Sequence, residues 1–244
     1  MSGSSIEAVI VVVPAHDEAD LLERCLTALA PAVAATVVPC EVCVVLDACT
    51  DGSAEIAERH PFPVIHTDAN SVGTARARGV RSALAAVPHL PPDRVWIANT
   101  DADSVVPANW LTAQVELADA GADVIVGTVR PDFDDLTVDH RLLWLDTHTA
   151  GVPNGHTHGA NLGIRASMYL LAGGFSDAVE HEDVRLVEAC RQRGARICAS
   201  DTAEVVTSGR FAGRTPGGYA GYLRSQDRQL QLERDMRDTQ QDAS

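Results

Sequence analysis

Residues 95–110 read VWIANTDADSVVPANW, an apolar run that passes straight into Asp101-Ala102-Asp103-Ser104. The run has the composition of a short strand buried on both faces. Two carboxylates then stand one residue apart, just past its end. In an extended segment, residues two apart point to the same side, so both carboxylates can face one ion. The competing reading is a helix cap, with Asp103 or Ser104 closing the first turn of a helix begun near Pro107. A cap needs one such residue and leaves Asp101 unexplained.

Upstream, the same strand-then-polar pattern repeats. IEAVIVVVPAHDE (6–18) is a β-branched run ended by Pro14, and CEVCVVLD (40–47) and FPVIHT (62–67) are two further strands. Leu21, Leu22, Cys25, Leu26 and Leu29 recur at helical spacing, and Pro31 is expected to stop that helix. A short helix reaches His60, and GTARARGVRSALAA predicts a helix over 73–86 opened by Gly73. Strands alternating with helices through short loops predict an α/β fold, with a mostly parallel central sheet covered on both faces.

After Ser104 the pattern loosens. NWLTAQVELADAGA reads as a helix, DVIVGTVR as a strand, and residues 131–160 as a mixed segment rich in His, Asp and Gly. GANLGIRASMYLLAGGF predicts a strand and a short helix, and RICASDTAEVVTS a final strand or two. HEDVRLVEACRQRGA is a helix with acids in its first turn and arginines in its last, as the helix dipole favours. No repeat or linker divides the chain. The expected organisation is one domain over 1–208, with a first half to 104 and a second half from 105. Residues 209–244 are expected to form a mobile arm and a surface helix.

Composition narrows the partners. Lys plus Arg number 19 against 34 Asp plus Glu, a formal net charge of −15, which argues against nucleic acid and anionic lipid as partners. An anionic substrate can bind only where a metal or local arginines reverse the field. No stretch reaches the roughly 18 apolar residues of a membrane span, and the N-terminus lacks the basic region of a secretion signal. The six cysteines are few, and Cys40 and Cys43 lack the second pair that a zinc site needs. The expectation is reduced, buried cysteines in a cytoplasmic protein.

In open α/β sheets, ligands bind outside the carboxyl ends of the strands. Here those ends are polar: Pro14-Ala15-His16-Asp17-Glu18, Asp47-Ala48-Cys49-Thr50-Asp51, Asp68-Ala69-Asn70 and Asp101-Ala102-Asp103. No GxGxxG or Walker sequence follows the first strand, so dinucleotide and P-loop readings fail.

Six segments in order, VVVPAHDEADLLERCLTAL, VVLDACTDGSAEIA, NSVGTARARGV, ANTDADSVVPANWL, GANLGIRASMYLLAGGF and EHEDVRLVEACRQRGA, resemble the family 2 glycosyltransferases of the GT-A fold. They span roughly residues 9 to 195. The resemblance implies metal-dependent transfer of a sugar from a nucleotide-diphosphate donor to an acceptor hydroxyl, with inversion. It implies that Pro14, Ala15, His16 and Glu18 line the base and that Asp47 accepts a hydrogen bond from base or ribose. The family usually has two acids at the second strand end, and here the first position is Leu46. Arg76 or Arg78 would lie near the base or the diphosphate. Asp101, Ala102 and Asp103 would meet the diphosphate, the two carboxylates holding Mg²⁺ or Mn²⁺, hard cations that prefer oxygen.

In EHEDVRL, the resemblance makes Asp183 the base that takes the acceptor's proton, with Glu182 as the fallback. The alternative is that these acids simply favour a helix N-terminus. His156 and His158 alternate along an expected strand and, with Asn161, would face the acceptor; His-x-His is also a metal pair, and a structural hydrogen bond competes with both. Arg210 and Arg214, among flexible glycines, suit either folding over a diphosphate or a solvated tail. Trp96 and Trp110 read as core residues, while Trp144 is open to sugar stacking. Two rival functions remain: a sugar nucleotidyltransferase, which would need a glycine-rich basic loop after strand one, and a binding protein of the same fold without turnover.

Overall fold

The computed structural model describes residues 4–177 and 180–211, together with positions 220, 221, 223, 224 and 227. Four strands, β1 (Ala8–Ala15), β2 (Cys40–Asp47), β3 (Val64–Thr67) and β4 (Val95–Asn99), lie parallel. Between them run α1 (Leu22–Ala35), α2 (Ser53–Ala57) and α3 (Val72–Ala86). The second half supplies β5 (Ser104–Val105), α4 (Trp110–Asp119), β6 (Val124–Pro131), α5 (Val138–Thr147) and β7 (Leu162–Arg165). It ends with α6 (Ala166–Ala172), α7 (Glu182–Gln192) and β8 (Ile197–Thr207).

All eight strands form one sheet in the order β3-β2-β1-β4-β7-β6-β8-β5. The parallel character expected from the sequence holds through β4 and again between β6 and β8, while β7 and β5 run antiparallel to their neighbours. Alternation along β1 explains the layering. Val9, Val11 and Val13 face a core with Leu22, Leu26, Leu29 and Trp110, and Ile10 and Val12 face a second core with Val80, Leu162 and Leu186. Both faces of the sheet are therefore dry at β1, which is why it reads as an unbroken apolar run.

Pro14 sits inside β1 rather than ending it. Val9 N donates to Pro39 O on the β2 side, so even-numbered amides face β4. The last β4 pair is Val12 with Asn99, so at Pro14 the neighbour has already left and no ladder bond is lost. Pro31 likewise fails to stop α1, which continues to Ala35. Its missing N–H lies on the exposed face, while Leu22, Leu26 and Leu29 beneath are fully buried, each contributing roughly 2 kcal/mol. Helix α3 begins at Val72 and is capped by Ser71, whose Oγ accepts from Thr74 N at 3.3 Å, rather than opened by Gly73.

Trp96 and Trp110 are core residues, their indole N–H groups donating to Gln114 Oε1 (2.7 Å) and Asn161 Oδ1 (2.9 Å). All six cysteines are free, but only Cys25, Cys43 and Cys190 are fully buried. Among the described residues, no helix is long and apolar enough to cross a membrane. Apart from residues 209–211 and five later positions, the expected arm and surface helix lie outside the described residues, and so does Arg214.

Candidate active site

The carboxyl end of β4 forms the centre of the site. Thr100 N donates to Val12 O, and the chain then turns through Asp101-Ala102-Asp103, with Ser104 N returning to Asp101 O at 3.1 Å. The segment is thus a turn and not the extended stretch expected. Ala102 is buried beneath it, and a carboxylate stands on each side. The helix-cap reading fails: Ser104 belongs to β5, paired with Thr207, and α4 starts only at Trp110.

Each carboxylate meets an arginine. Asp101 Oδ1 accepts from Arg76 Nη2 at 2.5 Å, and Oδ2 has no hydrogen-bond partner among the described residues. Asp103 Oδ1 accepts from the hydroxyls of Ser104 and Thr207, both at 3.3 Å, while Oδ2 lies 3.0 Å from Arg210 Nη2. Burial, reinforced by the charge of Asp101 and opposed by Arg210, pushes the Asp103 carboxyl up to about 6. Arg210 also forms a two-pronged bond to the buried Glu18, at 2.9 and 2.6 Å. Arg210 is therefore part of this site and no solvated tail residue. The cavity beyond it, about 390 Å³, is lined by Asp17, Glu18, Asp20 and Asp135, so one guanidinium faces several acids.

These groups suit a hard cation. The donors are carboxylate oxygens, and Asp101 Oδ2 is unengaged among the described residues, while Asp103 Oδ2 is held by Arg210. Elsewhere among the described residues, one cluster with the makings of a metal site is Asp17, Cys49 and Asp51, but Asp17 Oδ1 already accepts from Thr50 N and Asp51 N.

Arg76 and Arg78 separate. Arg78 bonds the Thr67 hydroxyl at the end of β3. Arg76 is buried beneath the turn, where it reaches Asp101, Glu182 Oε1 (3.2 Å) and Gly159 O (3.1 Å), and so does not face base or phosphate. Burial alone would lower its pKa; Asp101, Glu182 and Asp183 outweigh that and raise it. Asp47 is also buried, its two oxygens accepting from Asn70 N (2.9 Å) and Ser71 N (2.8 Å), so it pins the loop before α3. His16, half-buried, has Nδ1 2.5 Å from Asp47 O, whereas Pro14 and Ala15 are buried at the end of β1, with Ala15 in the core. Leu46 packs into the core.

Across the site, α7 begins with Glu182 and Asp183. Glu182 is buried against Arg76, and burial pushes its carboxyl up against that arginine's pull. It does not face the cleft, which removes it as a substitute base. Asp183 is half-buried, Oδ2 accepting from Gly159 N at 2.7 Å and Oδ1 from Val184 N at 2.8 Å.

Residues 155–158 are irregular, not a strand. The His156 and His158 rings nonetheless meet edge to face at 6.1 Å, and burial lowers the His158 pKa while Asp183 and Asp101 oppose it. Asn161 belongs to the core rather than the acceptor face: it is 2% exposed and its amide bonds Trp110, Thr128 O and Ala203 O. Trp144 is buried too, covered by the stacked ring of His148 at 4.0 Å. Sequence reading missed Gly159 and Thr207, which reach the acids only through the fold.

The model of the family "Glycosyl transferase family 2" matches residues 10–170. The chain belongs to glycosyl transferase family 2. The matched part holds β1 to β7 with His16, Arg76, Asp101 and Asp103, and stops before Asp183 and Arg210. Among solved structures, S. aureus TarS in complex with UDP-GlcNAc is similar at 15% identity and TM-score 0.62, over 87% of this chain and 61% of that one. The mannosyltransferase PcManGT from Pyrobaculum calidifontis, with GDP-Man and Mn²⁺, gives 23% and 0.58, over 86% and 59%. GalNAc-T7 with UDP, GalNAc and Mn²⁺ gives 14% and 0.61, over 84% and 44%. The glycosyltransferase fold is shared, and this chain spans less than two thirds of each neighbour's length. No curated protein matches it.

Proposed function

We propose that this family 2 chain transfers a glycosyl group from a nucleoside diphosphate sugar to an acceptor hydroxyl, with inversion and with Mg²⁺ or Mn²⁺. One observation carries the reading. Asp101, at the carboxyl end of the parallel strands, and Asp183, across the site, are joined by a continuous bonded path through Arg76 and Gly159. A carboxylate suited to the diphosphate side and a carboxylate suited to the acceptor side thus stand at the two ends of one hydrogen-bonded path. Solved neighbours with nucleotide and Mn²⁺ support the donor class and the cation.

The nucleotide would lie beside His16 and Arg78, over the buried end of β1 at Pro14 and Ala15, with Asp47 fixing the adjoining loop. Arg210 leaves Asp103 and Glu18 for the diphosphate, since an exchange of one anion for another keeps its charge paired. Asp101 and Asp103 would then hold the cation, which supplies charge neutralisation for the leaving diphosphate. Asp183 takes the proton of the acceptor hydroxyl as its oxygen bonds the anomeric carbon and the bond from that carbon to the diphosphate breaks. His156 and His158 orient the acceptor beside it.

Incubating the protein with UDP- and GDP-linked sugars, with Mn²⁺ or with chelator, tests the reading. Release of nucleoside diphosphate supports it. Pyrophosphate release would instead make the protein a nucleotidyltransferase, and binding without turnover a non-catalytic member of the fold.

A further inference from the structure

Arg76 is 2% exposed, yet it stands between the two carboxylates that the transfer reading uses. Its Nε–H donates to Glu182 Oε1, Nη1–H to Gly159 O and Nη2–H to Asp101 Oδ1. The cation also lies over the Phe175 ring, 5.7 Å from its centroid. So enclosed a guanidinium cannot reach into a cleft for phosphate.

Two glycines are fitted around this arrangement. A Cβ on Gly159 would stand 2.2 Å from Arg76 Nη2. One on Gly73, a turn earlier on α3, would stand 3.2 Å from Glu182 Cβ and 2.1 Å from Ser176 O. Gly159 also carries the connection onward. Its carbonyl accepts from Arg76 Nη1 at 3.1 Å, and its own N–H donates to Asp183 Oδ2 at 2.7 Å.

Burying a charge network of this kind is a poor way to gain stability, because apolar side chains of similar volume stabilise as well or better. Its distinguishing property is geometry. The planar guanidinium fixes three acceptors in one plane, and those acceptors belong to the β4 turn, the Gly159 loop and the start of α7. We infer that Arg76 is a positioning residue that sets the separation between Asp101 and Asp183 without touching substrate. This inference rests on the transfer reading.

Arg76→Lys tests it, since an ammonium keeps the charge but cannot span the three acceptors as a fork. Displacements of about 1 Å can cost roughly 100-fold in turnover. The expected result is a kcat per folded molecule about 100-fold lower, with donor KM changed less than about threefold. Calorimetric binding of Mn²⁺ with nucleoside diphosphate should persist. Gly159→Ala, which pushes a methyl group into Arg76 from the other side, is expected to show the same split and decides the matter if Arg76→Lys does not fold. Wild-type kcat per folded molecule in the folded variants overturns the inference. So does a loss confined to KM, which would make Arg76 a donor contact. A wild type inactive toward every donor removes the transfer reading and the inference together; an active wild type with unaffected variants removes the inference alone.

Discussion

Two groups of carboxylates border the carboxyl edge of the sheet, and they are neutralised in different ways. At the ends of β1 and β2, Asp17, Asp47 and Asp51 accept from backbone amides of neighbouring loops. Around the turn that follows β4, Asp101 and Asp103, with Glu18 from the loop after β1 and Glu182 from α7, are held by the guanidinium groups of Arg76 and Arg210. A backbone amide cannot leave without unfolding its loop, so Asp17, Asp47 and Asp51 are fixed in orientation, as Asp183 is by Gly159 N and Val184 N. A side-chain cation near the surface can be exchanged for an incoming charge, so Glu18 and Asp103, held by Arg210, are where a ligand can enter. Asp101 and Glu182 are held by the enclosed Arg76. Arg210, at 38% side-chain exposure, is placed to move, and Arg76, at 2%, is not.

Substitutions should divide along the same line. Asp103→Asn is expected to lower metal-stimulated turnover about 1000-fold, the upper range for removing one preorganised charge, in a protein at least as heat-resistant as wild type. Steady-state rates with and without Mn²⁺ check this, and near-normal turnover would remove Asp103 from the cation. Asp183→Asn should reduce kcat by about 300-fold, within the range for general-base loss, and leave donor binding measured by calorimetry intact. Weakened donor binding instead would place Asp183 on the wrong side of the site.

Stability against pH gives a third contrast. Asp103 has a native pKa of about 6, raised from 3.8, so between those values the native state holds a proton that the unfolded chain has released. Its contribution therefore falls as pH rises from about 4 to about 6, by at most about 3 kcal/mol. Urea midpoints of wild type and Asp103→Asn across that window should converge at the acid end and separate above it, the variant being the more stable. Parallel curves would show that the carboxyl carries no such penalty. Asp47→Ala, from the backbone-held group, should cost about 2 kcal/mol by leaving the Asn70 and Ser71 amides without their acceptor. A rate per folded molecule close to wild type is expected, and a selective loss of turnover would move Asp47 into the chemical group.

Much of the first group was legible in the sequence, because it depends on local pattern. Apolar runs ending in Asp-rich turns located β1 to β4, and their ends are where the candidate site was expected. What stayed hidden depends on distance along the chain. Arg210 meets Glu18 across 192 positions and Arg76 meets Glu182 across 106, and no periodicity announces either pair. Local rules also misled where tertiary packing overrode them. Pro31 sits in a helix whose buried side holds it, and His156 and His158 alternate without forming a strand. Asn161 lay in a motif associated with the acceptor, yet its amide closes the core around Trp110.

The central claim is that the carboxylates beyond β4 serve a nucleotide-linked sugar. Release of nucleoside diphosphate from a donor panel, measured side by side for wild type and Asp101→Asn with Mn²⁺ and with chelator, tests it most directly. Wild type is expected to release nucleoside diphosphate from at least one donor, chelator to stop it, and Asp101→Asn to stay at background. Equal release by both proteins, or none by wild type with any donor, would contradict the claim.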